Sequence, residues 1–302
     1  MKKRILSVVV ALCLIVGMCP IFASAGGRAY TYVFDSNGVR KNVATPSAAA
    51  GTSAGGTTIS SEGNGWAWDK ATNTLTLSGA DFTESSGMMS MLFYCDATIH
   101  LADSSQNVVS ASKSSNAGTG IYCIGNLTIT GKGSLDLRWT GETGFTRTEL
   151  ELEASKKLLI RDGKITAQSL RGKDKIQVAG GNVTVNSIGY CPLDVEKGME
   201  TGYENKKVSL SVSGGNLSIS ELKGNPSELL ITGGTVSVTE NMFVFDSVLS
   251  VKNGTLNITQ GKMFSQVNFK SIEIDNANVN SNVHFQIASS DTIISFDQLD
   301  RI

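Results

Sequence analysis

Three glutamates at alternate positions, Glu149, Glu151 and Glu153, form the best charged constellation for chemistry in this 302-residue chain. They interleave with Leu150 and Leu152, and a strand turns every second side chain to one side, so the three carboxylates are expected together on an outer face. Asp136 and Arg138 hold the same phase on the preceding strand, with Trp139 next to them. Crowded carboxylates repel one another unless a cation neutralises them, so Glu149, Glu151 and Glu153 are the candidate calcium ligands. Asp136, Arg138 and Trp139 are candidate ligand contacts at the same patch. The plainer reading of all six is a solvated outer face.

Catalysis has less to stand on. A glycoside hydrolase needs two carboxyl groups about 5 to 9.5 Å apart, and a lyase needs an acidic calcium cluster facing a basic residue. Adjacent aspartates are absent from the sequence, and the two histidines, His100 and His284, stand 184 residues apart with no Ser or Cys motif beside either. Arg161, Asp162 and Lys164 gather at one corner, the type of residue a lyase uses as base, but nothing in the sequence sets them across a groove from the glutamates. No catalytic residue is assigned.

The elements that must position these side chains are repeats. Apolar residues alternate with Ser, Thr and Asn up to a glycine-centred corner and resume beyond it: Leu158 to Ala167, Ile176 to Val185, Leu210 to Ile219, Leu229 to Val238 and Leu249 to Ile258. The corner glycines, Gly163, Gly181, Gly215, Gly234 and Gly254, are separated by 18, 34, 19 and 20 residues. A period near 20 made of strands and corners predicts an all-β solenoid, a right-handed parallel β-helix with apolar columns inside and polar sheets outside. The doubled interval holds a polar insertion, Gly189 to Lys207, whose Tyr190 and Tyr203 are further candidate ligand contacts, since insertions become loops on one side of a solenoid.

Residues Trp66 to Asp69 and Thr74 to Ser78 read as a β-hairpin. Its two tryptophans, Trp66 and Trp68, face one side. They either cover the open end of the first coil or offer a platform for a sugar ring. Cys95 and Cys123 each follow a tyrosine and read as equivalent positions on two coils, packed as small apolar side chains; a disulfide or a reactive thiol is the alternative. With Cys191 they make an odd, non-CxxC set once the leader is set aside, which argues against a disulfide framework or a zinc site.

Residues 1–25 have the basic start, apolar stretch and Ala23-Ser24-Ala25 end of a secretory signal. A flexible low-complexity lead-in is expected over residues 26–56, and the β-helix over 57–302. Without Lys2, Lys3 and Arg4 the chain carries 23 basic and 27 acidic residues, a net charge of −4. That gives no basic face for nucleic acid. No membrane span is expected after the signal, and the chain is expected to be a monomer.

Two segments, Gly65 to Gly79 (GWAWDKATNTLTLSG) and Gly120 to Leu137 (GIYCIGNLTITGKGSLDL), resemble secreted bacterial right-handed parallel β-helix proteins described as carbohydrate-binding-domain proteins. That family is similar to pectate lyases in fold and is considered non-catalytic. The resemblance implies polysaccharide binding at the cell surface or in the medium, with calcium and acidic polymers in some members. Its motifs mark coil corners and carry no ligand residues. The function expected from the sequence is therefore non-catalytic binding of a polysaccharide, an acidic one included. A lyase or hydrolase acting on acidic glycans is the second reading, and a structural or adhesive surface rod the third.

Overall fold

Apolar–polar alternation between corners produces short strands, and the computed structural model shows how they pair. It describes residues 30–44, 53–84, 89–111, 119–140, 150–191, 193–194, 198–199, 206–222, 226–259, 266–281, 286–287 and 294–296. The expected signal segment, Glu149, Tyr203 and His284 lie outside them. Among the described residues there is no helix long and apolar enough to cross a membrane.

The strands stack in three parallel ladders. The first runs through Asp81–Glu84, Gln106–Ala111, Ser134–Trp139, the start of Lys164–Gly172, the start of Asn182–Tyr190, Asn216–Leu222, the start of Thr235–Lys252, Thr255–Ile258 and Asn278–Ser281. The second runs from Thr74–Leu77 through Ala97–Leu101, Leu127–Thr130, Lys157–Ile160, Lys175–Val178, Ser209–Val212, Glu228–Ile231, the end of Thr235–Lys252 and the end of Gln266–Asp275 to Ile294–Phe296. The third joins Tyr30–Asp35, Met89–Phe93, Thr119–Cys123, Glu151–Ala154 and the far halves of Lys164–Gly172 and Asn182–Tyr190. Each strand therefore pairs with the strand one repeat on, a pattern compatible with a β-helix or solenoid.

Parallel pairing in register lines like residues up. In the second ladder Leu75, Ile99, Ile129, Ile160, Val178, Val212, Ile231 and Val251 form one continuous column, each fully buried. In the first, Leu135, Ile165, Val183, Leu217, Val236 and Leu256 do the same. Burying each such side chain contributes about 1.5–3 kcal/mol. The polar insertion does not disturb this: Ile176 pairs with Leu210 and Asn182 with Asn216 across it.

Two expectations need correction. Strand structure begins well before Thr57. Tyr30–Asp35 and Gly38–Ala44 form an antiparallel pair, Ser53–Ile59 adds to it, and Tyr30–Asp35 also pairs in parallel with Met89–Phe93. The run Tyr30 to Phe34 is aromatic and β-branched, a strand composition that the Ala, Gly and Ser beyond Ala44 obscure. Second, Cys95 and Cys123 are not equivalent rungs. Cys123 pairs with Phe93, and Leu127 with Ala97, so the true register differs by two residues from the one the tyrosine–cysteine pairs suggest.

The hairpin is found as expected, with Trp66–Asp69 antiparallel to Thr74–Leu77. Its tryptophans pack on the aromatic residues of the early strands. The Phe34 ring lies 5.4 Å from Trp68, 6.0 Å from Trp66 and 4.9 Å from Phe93, and Trp68 Nε1 donates to the Asp35 carbonyl at 3.1 Å. Trp68 is buried.

Candidate functional site

The outer face of the first ladder is a flat polar surface built by the corners that precede it. Gly163, Gly181, Gly215 and Gly234 all adopt positive φ, a conformation open to glycine at little cost. The residue after each corner then donates its backbone N–H to the preceding corner: Asn182 to Gly163 O at 2.8 Å, Asn216 to Gly181 O at 2.8 Å, Thr235 to Gly215 O at 2.9 Å and Thr255 to Gly234 O at 2.9 Å. Asn278 repeats the bond to Gly254 O at 3.0 Å. At that last corner Asn253, not the glycine, takes the positive φ.

Because every strand starts from the same bonded point, its outward side chains fall into columns. One column reads Asn182, Asn216, Thr235, Thr255, Asn278, and its neighbour Thr184, Ser218, Ser237, Asn257, Asn280. The amides link along the columns: Asn216 Nδ2 donates to Asn182 Oδ1 at 2.8 Å, and Asn280 Nδ2 to Asn257 Oδ1 at 2.9 Å. Asn186 Nδ2 bonds Gln168 Oε1 at 2.6 Å just beyond them. A side-chain amide has two donors and two acceptor lone pairs, so one bond along the column leaves capacity facing outward. The charged end of the face is its early end, where Arg138 Nη1 meets Asp136 Oδ2 at 3.4 Å with both side chains well exposed. Exposed Lys164 follows on the adjacent strand of the ladder.

The structure thus brings Asp136 and Arg138 together, but places the other sequence candidates elsewhere. Trp139 falls in the inward phase with Leu135 and Leu137 and packs against the core, so it does not flank Arg138 as a platform. Glu151 and Glu153 belong to the third ladder, where no strand pairs them with Asp136. They are also not solvated: Glu151 is 8% and Glu153 1% exposed. Arg171, on the next rung, pairs in register with Glu153 and supplies the counter-charge, with Nε 2.8 Å from Glu151 Oε1 and 3.8 Å from Glu153 Oε1. Burial pulls the Arg171 pKa down, but the two carboxylates outweigh it and hold the guanidinium charged.

Sequence phase placed these glutamates outward correctly and their surroundings wrongly. The outward column that Glu153 joins also contains Val33, Leu92 and Tyr122, and this side forms a second apolar cluster with Tyr30 and Cys191. Apolar residues at outward positions were the available signal. Tyr190, at the end of Asn182–Tyr190 and in register with Gly172, is 8% exposed, with Lys206 Nζ 5.5 Å from its ring centroid; it is not on the polar face. Among the described residues no group of three or more His, Cys, Asp or Glu is arranged to hold a metal ion.

The remaining candidates have local roles. Asp162 Oδ1 accepts the Gly163 N–H at 2.8 Å and so caps a corner. His100, exposed on the second ladder, lies 3.2 Å from Thr130 Oγ1 through Nδ1. Cys95 and Cys123 are free thiols, with Cys123 Sγ donating to the Cys95 carbonyl at 3.2 Å.

A family model described as carbohydrate-binding domain-containing protein matches residues 49–298, which takes in the three ladders apart from the strand Tyr30–Asp35. The chain belongs to that family. No curated protein and no solved structure matches it. In this member of the carbohydrate-binding domain-containing family, the polar columns of the first ladder are the surface whose chemistry suits sugar hydroxyls, because both amides and hydroxyls donate and accept.

Proposed function

We propose that the protein is an exported right-handed parallel β-helix that holds polysaccharide on the outer face of its first ladder without cleaving it. The aromatic group around Phe34, Trp66 and Trp68 serves as the cap over its first coil. The observation that carries the binding reading is the pair of in-register Asn, Ser and Thr columns from Asn182 to Asn280, supported by the family match. The absence of cleavage rests on a further point. The carboxylates that come closest to a catalytic pair, Glu151 and Glu153, are buried and bonded by Arg171, away from any bond a solvent-borne polymer presents. Calcium has no assigned role in this reading.

The test is retention of the protein on insoluble and gelled polysaccharides, with calcium or with chelator, and assay of the same tubes for released sugar. Retention without product is expected, unchanged by chelator. Released or unsaturated sugar would overturn the non-catalytic reading. Failure to bind any glycan would leave a surface rod as the function.

A further inference from the structure

We infer that the ligand is a neutral, fully extended glycan lying lengthwise along the stack, with about one sugar per rung. The inference deepens the proposed function and rests on the first ladder being the glycan-binding face.

Three observations lead to it. The two columns contain no charged residue over the five strands from Asn182 to Asn280. Arg138 and Lys164 stand only at the early end, and Arg138 is already engaged with Asp136. An acidic polymer laid over the neutral stretch would lose water from its carboxylates with no cation to receive them, which costs more than an unmade neutral hydrogen bond.

The columns also run in unbroken register, one residue of each per strand from Asn182 to Asn280. Parallel strands lie about 4.8 Å apart, close to the advance of one pyranose ring in an extended, equatorially linked chain. A coiled α-linked glucan would meet a rung and then turn away. Finally, aromatic stacking is not what holds the sugar. Trp66, Trp68, Tyr122, Trp139 and Tyr190 all pack elsewhere, so affinity has to come from many individually weak hydrogen bonds repeated along the ladder.

The protein is tested against particles of cellulose and chitin, starch granules and a polygalacturonate gel, and by calorimetry against β-1,4-linked oligosaccharides of increasing length. Expected are retention on cellulose or chitin and an affinity that climbs with length, then levels near about five sugars, the span of the five strands. The pair Thr184→Glu and Ser218→Glu should weaken retention roughly tenfold, whereas Thr128→Glu on the second ladder should not; the length series needs no variant. Binding to polygalacturonate or starch in place of the β-1,4 polymers overturns this inference and leaves glycan binding standing. Affinity that is flat with length overturns the lengthwise pose. Retention on none of the four overturns both readings.

Discussion

Glu153 is 1% exposed, yet it holds a carboxylate beside a second one, and Arg171 makes that arrangement tolerable. Removing one partner of a buried charge group leaves the rest uncompensated. Arg171→Gln should lower stability by about 2–3 kcal/mol, under the fully buried range because part of the Arg171 side chain still meets water. Adding Glu153→Gln should recover at least about 1 kcal/mol of that loss in a double-mutant cycle followed by urea unfolding. The thiols give a second check at this scale. Burial pushes Cys95 up to about 11 and Cys123 to about 12, from 9.0 for an ordinary thiol. Since only the thiolate reacts, native Cys95 should alkylate about a hundredfold more slowly than a free cysteine at pH 8, and at the ordinary rate in denaturant. Equal native and denatured rates would contradict its place at the corner.

At the scale of the element, the corner governs. A Cβ on Gly215 would fall on the Gly181 carbonyl, inside van der Waals contact, and its φ is +70°. Gly215→Ala should therefore cost at least about 1–2 kcal/mol from the backbone conformation alone. It should also reduce glycan retention, because the strands carrying Asn216 and Thr235 are bonded to the Gly181 and Gly215 corners. Another corner is held by Asp96, whose Oδ1 accepts the Asn126 backbone N–H and Oδ2 its side-chain amide, both at 2.9 Å. These bonds hold the Asp96 carboxyl below its ordinary 3.8. A lowered folded pKa favours the charged form in the fold, so this stabilisation is full above about pH 5. It fades as pH falls below 3.8 and through the lower folded value. The melting temperatures of wild type and Asp96→Asn should accordingly differ most near neutrality and converge in acid.

Strands, corners and the repeat were legible in the sequence because alternation and glycine spacing report them directly. Register was less so. A one-residue slip turns every side chain over and is visible in the apolar pattern, but a two-residue slip preserves phase, which is how Cys95 and Cys123 come to look equivalent. The polar face was legible as a kind of surface, since outward Asn, Ser and Thr follow each corner. The burial of Glu151 and Glu153 was not, because phase says which way a side chain points and nothing about what covers that side.

Over the whole molecule, each strand depends on the strands one repeat before and after it, and the columns Leu75 to Val251 and Leu135 to Leu256 continue through every one of these steps. Contacts this local make stability close to a sum over neighbours. The strand pairs Lys175–Val178 with Ser209–Val212 and Asn182–Tyr190 with Asn216–Leu222 keep register across the chain between Cys191 and Lys207. Lengthening a connection costs little, about 0.6 kcal/mol for each doubling. A Gly-Ser segment of about ten residues placed between Pro192 and Lys206 should thus cost under about 1 kcal/mol in urea unfolding, while the same segment between Gly233 and Gly234 should unfold the neighbouring strands. The stretch is in effect a mounting point: a foreign peptide or a second recognition loop can be carried there, where the chain passes from the third ladder to the second, without touching the corners that set the columns of the first.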